Sequence, residues 1–150
     1  MKNSVVEILL VEDNQDDEEL ALRALKKNHL SNSIEVARDG EEALRFLFGE
    51  DGIDTSVLHK QPRLILLDLK LPKVDGLEVL KQIKQHPSGR EIPVVILTTS
   101  AQEPDMKRAY ELGVNSYLIK PVDFEHFVEI VRKLGFYWLL LNQAPGSKGL

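Results

Sequence analysis

The feature of this sequence that most limits its possible folds is a set of four short, almost purely aliphatic runs. They lie at residues 8–11, 64–67, 94–97 and 117–119. Runs of this length, separated by turn and helix signals, are typical of strands that are buried on both faces of a parallel sheet. A shorter and more polar segment at residues 34–37 predicts one further strand.

Each predicted strand is followed by a segment with the apolar spacing of a helix. These helices are expected after Asn14, over residues 41–48 behind an Asp39-Gly40 turn, over 77–85 and 103–112, and from about Asp123 onward. A strand–helix unit repeated five times implies right-handed crossovers and helices on both faces of the sheet. The sequence therefore predicts an α/β fold with a doubly wound, five-stranded parallel sheet.

Composition excludes several classes of function. The chain has 150 residues, which fits one domain, and its net charge of -5 comes without a Lys/Arg cluster, so nucleic-acid binding is not expected. No cysteine is present to form a disulfide or a thiolate site. The N-terminus lacks a signal-peptide pattern, and no apolar stretch is long enough to span a membrane. We expect a soluble, cytoplasmic protein.

Chemically active residues stand where the aliphatic runs end. Glu12 and Asp13 follow the first run, Asp68 the second, Thr98 the third and Lys120 the fourth. The carboxyl ends of parallel strands share one edge of the sheet, which is where open α/β folds bind ligands. These distant residues are therefore predicted to converge.

Three carboxylates at one edge call for a cation. Two like charges about 4 Å apart repel by on the order of 4 kcal/mol at an effective dielectric constant near 20. Carboxylate oxygens without His or Cys suit Mg²⁺, which binds one or two carboxylates and a phosphoryl oxygen. For Glu12 and Asp13 alone, helix capping and dipole pairing remain an equal alternative.

Asp68 is the predicted nucleophile of the site. A carboxylate that closes a run of four aliphatic residues is costly to bury unpaired, and it can attack a phosphoryl donor to give an acyl phosphate. Lys120 offers a positive charge to Asp68 and to a phosphate, and the hydroxyl of Thr98 can donate to a phosphoryl oxygen. A solvated turn acid is the alternative for such a residue, and it describes Asp75 better.

Taken in order, these motifs resemble the receiver domain of two-component response regulators over about residues 5–134. The resemblance is carried by Val11-Glu12-Asp13, by Leu67-Asp68-Leu69-Lys70-Leu71-Pro72 with Asp75-Gly76, by Leu97-Thr98-Thr99, and by Tyr117-Leu118-Ile119-Lys120-Pro121. It implies a flavodoxin-like fold in which Asp68 accepts phosphate from a phosphohistidine of a sensor kinase. The chain would then be a phosphoacceptor that catalyses only its own phosphorylation and dephosphorylation.

The resemblance also assigns roles to the remaining residues. Mg²⁺ would be held by Asp13, Asp68 and the backbone carbonyl of Lys70, and by Glu12 through water. The phosphoryl oxygens would be bound by Thr98, Lys120 and the backbone of Thr99, and Thr98 and Tyr117 would form the conformational switch. Glu12 stands where this family more often has Asp, and Thr99 where it often has a smaller residue. The position of Lys70 is one that influences acyl phosphate hydrolysis in receivers.

Beyond residue 134 the sequence changes character. Residues 135–150 are expected to be an apolar extension of the last helix followed by a flexible tail. Large apolar side chains on every side of a helix favour a partner surface, and we expect a homodimer, with folding back onto the domain as the alternative. The predicted interface residues are Phe136, Tyr137, Trp138, Leu139 and Leu140.

This extension and the long connection at residues 49–63 resemble those of small single-domain response regulators that pair with phytochrome-type histidine kinases in cyanobacteria. The favoured function is a phosphorylation switch that signals through protein contacts. Two alternatives stay open. One is a Mg²⁺-dependent phosphatase or phosphotransferase of the haloacid dehalogenase type, which wants a second acid where this chain has Lys70. The other is a scaffold that is never phosphorylated.

Overall fold

A computed structural model describes residues 7–28, 33–49, 58 and 60–142, and of residues 135–142 it describes the backbone alone. The strands are β1 (Ile8–Val11), β2 (Ile34–Ala37), β3 (Leu64–Leu67), β4 (Val94–Thr98) and β5 (Ser116–Ile119). The helices are α1 (Gln15–Lys27), α2 (Gly40–Phe48), α3 (Gly76–Gln85), α4 (Glu103–Glu111) and α5 (Phe124–Asn142), with a short 3-10 turn at Gly89–Glu91.

The five strands form one parallel sheet in the order β2-β1-β3-β4-β5. The order reverses direction between β1 and β3, where the chain leaves the edge strand β2 and crosses to the other half of the sheet. In doubly wound folds a crevice opens at such a switch point, outside the carboxyl ends of the strands. The predicted doubly wound, flavodoxin-like architecture is confirmed.

Alternate residues of the strands supply two separate cores, one on each face of the sheet. Leu9, Val11, Ile65 and Leu67 belong to the core that packs against α2, α3 and α4. The intervening strand residues, including Leu10, belong to the core that packs against α1 and α5. Because both faces are covered, β1, β3 and β4 are buried along their whole length, which explains why they read as continuous aliphatic runs.

Side-chain caps fix the starts of three helices at the loops that follow the strands. The side chain of Asn14 accepts from the Asp17 amide, that of Asp39 from the Glu42 amide and that of Asp75 from the Leu77 amide. α1 begins directly after Asn14, as the sequence predicted. The predicted Asp39-Gly40 turn is wrong in detail, because Asp39 is the cap and its neighbour already begins α2.

The predicted boundaries need only small corrections. β4 includes Thr98, and α4 ends at Glu111, one residue earlier than expected. Most of the predicted connection at residues 49–63 lies outside the described part of the chain. Among the described helices, none combines the length and the apolar character that a membrane span requires.

Candidate functional site

The strand register brings the predicted site residues to one edge of the sheet. Val11 pairs with Leu67 across β1 and β3, so the residues that follow them, Glu12 and Asp68, leave the sheet side by side. The Asp68 amide donates to the Val11 carbonyl at 3.0 Å. On the far side, Thr98 pairs with Ile119 across β4 and β5, and the next residue is the predicted lysine.

Lys120 joins the two halves of this edge. Its Nζ lies 3.0 Å and 3.1 Å from the two carboxylate oxygens of Glu12 and 3.0 Å from Oδ2 of Asp68. A third carboxylate, that of Asp17 on α1, lies 2.8 Å away. The side chains of Glu12 and Asp68 are 1% and 5% exposed, and that of Lys120 is 10% exposed. The predicted Asp68–Lys120 pair is therefore a buried contact, although it is part of a larger cluster.

Backbone amides complete the coordination of the two buried acids. The Lys70 amide donates to Oδ1 of Asp68 at 3.0 Å, which leaves the other oxygen of that carboxylate on Lys120. The Asn14 amide donates to Oε2 of Glu12 at 3.1 Å. Charge-assisted hydrogen bonds of this kind fix the orientation of the carboxylate planes. Asp68 is therefore held with its oxygens at the sheet edge.

The acidic residues fit a divalent cation. Glu12, Asp13 and Asp68 each offer an oxygen, and these atoms all lie within 4.8 Å of one another. Asp13 is exposed, so the cluster is open to solvent on one side. An all-oxygen donor set that leaves room for water suits a hard cation such as Mg²⁺ or Mn²⁺.

Burial and charge shift two pKa values at this edge. The pKa of Glu12 is raised from 4.5 to about 7, first by burial and also by the nearby charge of Asp68, while Lys120 and the Asn14 amide act to lower it. For Lys120, burial disfavours the ammonium. Its hydrogen bonds to Asp17, Asp68 and Glu12 outweigh burial and raise its pKa above the usual value. A positive charge is thus kept beside Asp68.

Thr98 and Tyr117 meet at the loop between β4 and α4. Thr98 is fully buried, and its hydroxyl oxygen accepts from the Ser100 amide at 3.2 Å. Tyr117 is 9% exposed, and its hydroxyl donates to the Ser100 carbonyl at 2.9 Å. Burial raises the pKa of the Tyr117 phenol, so it stays a donor at neutral pH. Thr99, between Thr98 and Ser100, is exposed.

The side chain of Lys70, in the loop after β3, connects that loop to α4. Its ammonium lies 3.5 Å from Asp105, whose carboxylate also accepts from the Ser100 hydroxyl at 2.5 Å. The Lys70 side chain is 55% exposed, so the ion pair with Asp105 is a weak tie. No acid stands two positions after Asp68, where a haloacid dehalogenase would need one.

Comparison with known proteins identifies the family to which this arrangement belongs. Residues 8–132 match the response regulator receiver domain. The chain belongs to the response regulator receiver family. The match begins at β1 and extends into α5, so it includes every strand that contributes to the acidic edge.

Two sequence relatives illustrate the range of this receiver's family. It is 49% identical over 139 residues to the probable methanogenesis regulatory protein FilR2 of Methanothrix harundinacea, with 93% of this chain and 87% of that protein covered. It is 43% identical over 140 residues to the response regulator Rcp1 of Synechocystis sp., with 93% of each chain covered. A solved structure of Rcp1 is the Mn²⁺-bound form, with a TM-score of 0.70 over 89% of this chain and 94% of that one.

A third relative is known in its phosphorylated form. The phosphorylated cyanobacterial phytochrome response regulator RcpA matches this receiver with a TM-score of 0.72 and 40% sequence identity, covering 91% of this chain and 95% of that one. The predicted kinship with cyanobacterial phytochrome response regulators is thereby confirmed.

Sequence reasoning missed three residues of the receiver's edge. Asp17 was given no role in the site, whereas its carboxylate contacts Lys120. Ser100 and Asp105 were assigned no role, although they connect Tyr117 and Lys70. A signal for Asp17 existed in its position in the first turn after the acidic pair. The contacts of Ser100 and Asp105 depend on how α4 sits against the loop, which no local pattern reveals.

The structure does not describe the side chains of the predicted dimer residues. α5 includes Phe136, Tyr137, Trp138, Leu139 and Leu140, but their side chains lie outside the described residues. Their role stays a prediction.

Proposed function

We propose that this receiver is a single-domain response regulator that accepts a phosphoryl group on Asp68 from a histidine kinase. The observation that carries the proposal is the buried cluster in which Lys120 bridges Asp68 and Glu12 at 3.0 Å. A carboxylate held in this way lies at the sheet edge with one oxygen oriented for attack, and its charge is compensated by an ammonium that a transferred phosphate would also attract.

The proposed transfer uses one oxygen of Asp68 as the nucleophile. That oxygen forms a bond to the phosphorus of a phosphohistidine, and the bond between phosphorus and the histidine nitrogen breaks with its electron pair going to the nitrogen. Lys120 neutralises charge on the phosphoryl oxygens. Thr98 and the backbone of Thr99 donate to the same group. The resulting acyl phosphate is later hydrolysed on the protein itself, so the chain turns over no external substrate.

A divalent cation, which we propose to be Mg²⁺, would be held by Glu12, Asp13, Asp68 and the backbone carbonyl of Lys70. When bound, it supplies charge neutralisation for the phosphoryl oxygens. The fit rests on the three converging carboxylates and on their excess of negative charge over one lysine. The existence of a Mn²⁺-bound form of the relative Rcp1 also supports binding of a divalent cation.

We propose that phosphorylation is read out through Thr98 and Tyr117. Both side chains are tied to Ser100, one through its amide and the other through its carbonyl. A Thr98 hydroxyl that turns toward a phosphoryl group would release the Ser100 amide and change the loop that Tyr117 contacts. A local change in charge would thus reach the surface formed by α4, β5 and α5.

The proposed phosphodonor is a phytochrome-type sensor kinase in the cytoplasm. This assignment rests on two relatives. Rcp1 matches 93% of this chain and RcpA matches 91% of it, and RcpA is a phytochrome response regulator. The decisive measurement is phosphotransfer from purified histidine kinases of several sensor classes, compared at short reaction times.

We further propose that the extension at residues 135–150 makes the protein a homodimer through Phe136, Tyr137, Trp138, Leu139 and Leu140. The apolar composition of this segment supports the proposal. A chain that ends at Leu134 should sediment as a monomer, while the full chain sediments as a dimer. Equal sedimentation coefficients, scaled for mass, would remove the extension from the interface and favour packing onto its own domain.

The phosphoacceptor role is tested by labelling with acetyl phosphate and Mg²⁺. The wild-type protein should acquire one phosphate that alkali or hydroxylamine removes, as expected of an acyl phosphate, and Asp68→Asn should acquire none. Asp75→Asn is the matched control, because it makes the same exchange in the same loop and asparagine still caps α3. Labelling of the Asp68 variant would move the acceptor elsewhere. Sustained hydrolysis of an aryl phosphate would favour the phosphatase, and a wild-type chain without any label would favour the scaffold.

A further inference from the structure

The ammonium of Lys120 has more carboxylate oxygens within hydrogen-bond distance than it has protons to donate. Four carboxylate oxygens lie within 3.1 Å of it, two from Glu12, one from Asp68 and one from Asp17, whereas an ammonium has three donors. The contact with Asp17 is the shortest of the four, at 2.8 Å. An ammonium with surplus acceptors can exchange one for another without losing all of its partners.

Two of the three acidic residues around Lys120 also belong to the candidate cation site. Glu12 and Asp68 belong to the group whose oxygens converge on a candidate cation site, together with Asp13. Asp17 does not belong to that group. If Glu12 and Asp68 shared their oxygens with a bound cation, their attraction for Lys120 would fall, and Asp17 would be the one acidic partner of Lys120 outside the candidate cation site.

We propose that Asp17 is a positioning residue for Lys120, which it holds at the phosphoacceptor edge when a divalent cation occupies the oxygens of Glu12 and Asp68. The inference rests on the phosphoacceptor function proposed above. The inference gives Asp17 a role beside Glu12, Asp13 and Asp68. Without Asp17, the Lys120 ammonium either moves toward the carboxylates that bind the cation or turns toward solvent. In both cases it contacts an incoming phosphoryl group less often.

The position of Asp17 is itself fixed by the loop between β1 and α1. Its amide donates to the side chain of Asn14 at 2.9 Å, and the amide of Asn14 donates to Glu12 at 3.1 Å. The start of α1 and the end of β1 are therefore joined through Asn14. Asp17 is 34% exposed, compared with 1% for Glu12, so it stands at the solvent side of the ammonium.

The competing explanation is that Asp17 only stabilises the start of α1. Acids in the first turn of a helix interact favourably with the helix dipole, and Asp16 and Glu18 occupy the same turn. Asp16 is exposed and differs from Asp17 in having no recorded contact with Lys120 within the described structure. Asp16→Asn therefore removes the same charge from the same turn and serves as the matched control.

The test is the affinity of the full chain for beryllofluoride, an anionic phosphoryl analogue, at saturating Mg²⁺. Loss of a nearby negative charge by itself strengthens or leaves unchanged the binding of an anion, and this is the result expected for Asp16→Asn. Asp17→Asn should instead bind about tenfold more weakly, because a charge-assisted hydrogen bond that positions Lys120 is lost. Asp17→Glu, which restores the carboxylate, should recover part of the affinity.

A second readout follows the lysine directly and does not depend on phosphorylation. Acylation of lysine amines, measured by peptide mass spectrometry in the presence of Mg²⁺, should be several-fold faster at Lys120 in Asp17→Asn than in wild type or Asp16→Asn. The exposed Lys107 is the internal reference and should react equally in all three proteins. Circular dichroism of each variant checks that α1 is intact.

The two proposals fail in different ways. If Asp17→Asn and Asp16→Asn bind beryllofluoride equally and acylate equally at Lys120, Asp17 is only a helix-start acid and the positioning role is wrong. If the wild-type chain binds no beryllofluoride with Mg²⁺ and takes no label on Asp68, the phosphoacceptor function itself is wrong. In that case, faster acylation of Lys120 in Asp17→Asn would still show that Asp17 holds the lysine.

Discussion

Replacing Glu12 by glutamine should stabilise the cation-free protein at neutral pH. The Glu12 side chain is 1% exposed, and burial raises its pKa from 4.5 to about 7, helped by the charge of Asp68. Between these pH values the folded protein keeps a proton on Glu12 that the unfolded chain has already lost. The stability that this group contributes is present below pH 4.5 and is lost as the pH rises to about 7.

The size of this loss follows from the pKa shift. One pKa unit corresponds to about 1.4 kcal/mol, so a shift from 4.5 to about 7 corresponds to about 3 kcal/mol. Glutamine does not titrate, and its side-chain oxygen can still accept from Lys120 or from the Asn14 amide. Glu12→Gln should therefore match the wild type below pH 4.5 and exceed it by about 3 kcal/mol above pH 7. For a domain of this size the midpoint of thermal unfolding would rise by roughly 10 °C.

The assay is urea denaturation in a chelator at a series of pH values from 4.5 to above 7. Glu19→Gln, on the exposed side of α1, is the control and should leave the free energy of unfolding nearly unchanged at every pH. Mg²⁺ should stabilise the wild type more than Glu12→Gln, because the variant has lost a carboxylate ligand. A variant that is less stable than wild type at neutral pH, or a difference that does not vary with pH, would refute the reasoning.

Two further substitutions test the cluster and its backbone support. Lys120→Met should lower the free energy of unfolding in chelator by about 3–5 kcal/mol, because Glu12 and Asp68 lose the buried ammonium that they share. Urea denaturation should show a smaller loss when Mg²⁺ is present. Equal losses with chelator and with Mg²⁺ would contradict a site in which the two cations share the same carboxylates. Gly76→Ala should slow acetyl phosphate labelling and cost about 2 kcal/mol, since an added Cβ would lie 2.4 Å from the carbonyl oxygen of Asp68. Gly113→Ala is the control, because an added Cβ there would meet no neighbouring atom, although the backbone φ is +99°. This variant should lose about 1 kcal/mol of stability in thermal unfolding and label at the wild-type rate. Equal labelling rates of the two glycine variants would argue against control of Asp68 by the backbone around it.

Much of the edge could be predicted from sequence because its residues stand in a fixed relation to the strands. Glu12, Asp68 and Lys120 each follow a strand directly, and Thr98 ends one. In a parallel sheet this relation alone brings such positions to one side. Three of the four aliphatic runs were recognisable because β1, β3 and β4 are buried along their whole length, whereas β5 is buried only at Tyr117 and Leu118.

The contacts between side chains could not be predicted in the same way. Asp17 reaches Lys120 because α1 packs on the face of the sheet that also carries α5, and Asp105 reaches Lys70 because α4 packs on the opposite face. These distances depend on how helices sit against the sheet. A local apolar pattern states which side of a helix is buried, but not which residue of a neighbouring loop it meets.

The amino-acid sequence by itself determined the alternation of strands and helices, the parallel sheet and the positions of the acidic, hydroxyl and ammonium groups at its edge. Period and strand-end position are local properties, and the convergence of parallel strand ends turns them into a site. Only the tertiary structure decided that Lys120 is shared among three carboxylates and that burial moves the pKa of Glu12 to about 7. Both outcomes depend on desolvation and on distances between residues far apart in the chain, which exist only after the helices have packed onto the sheet.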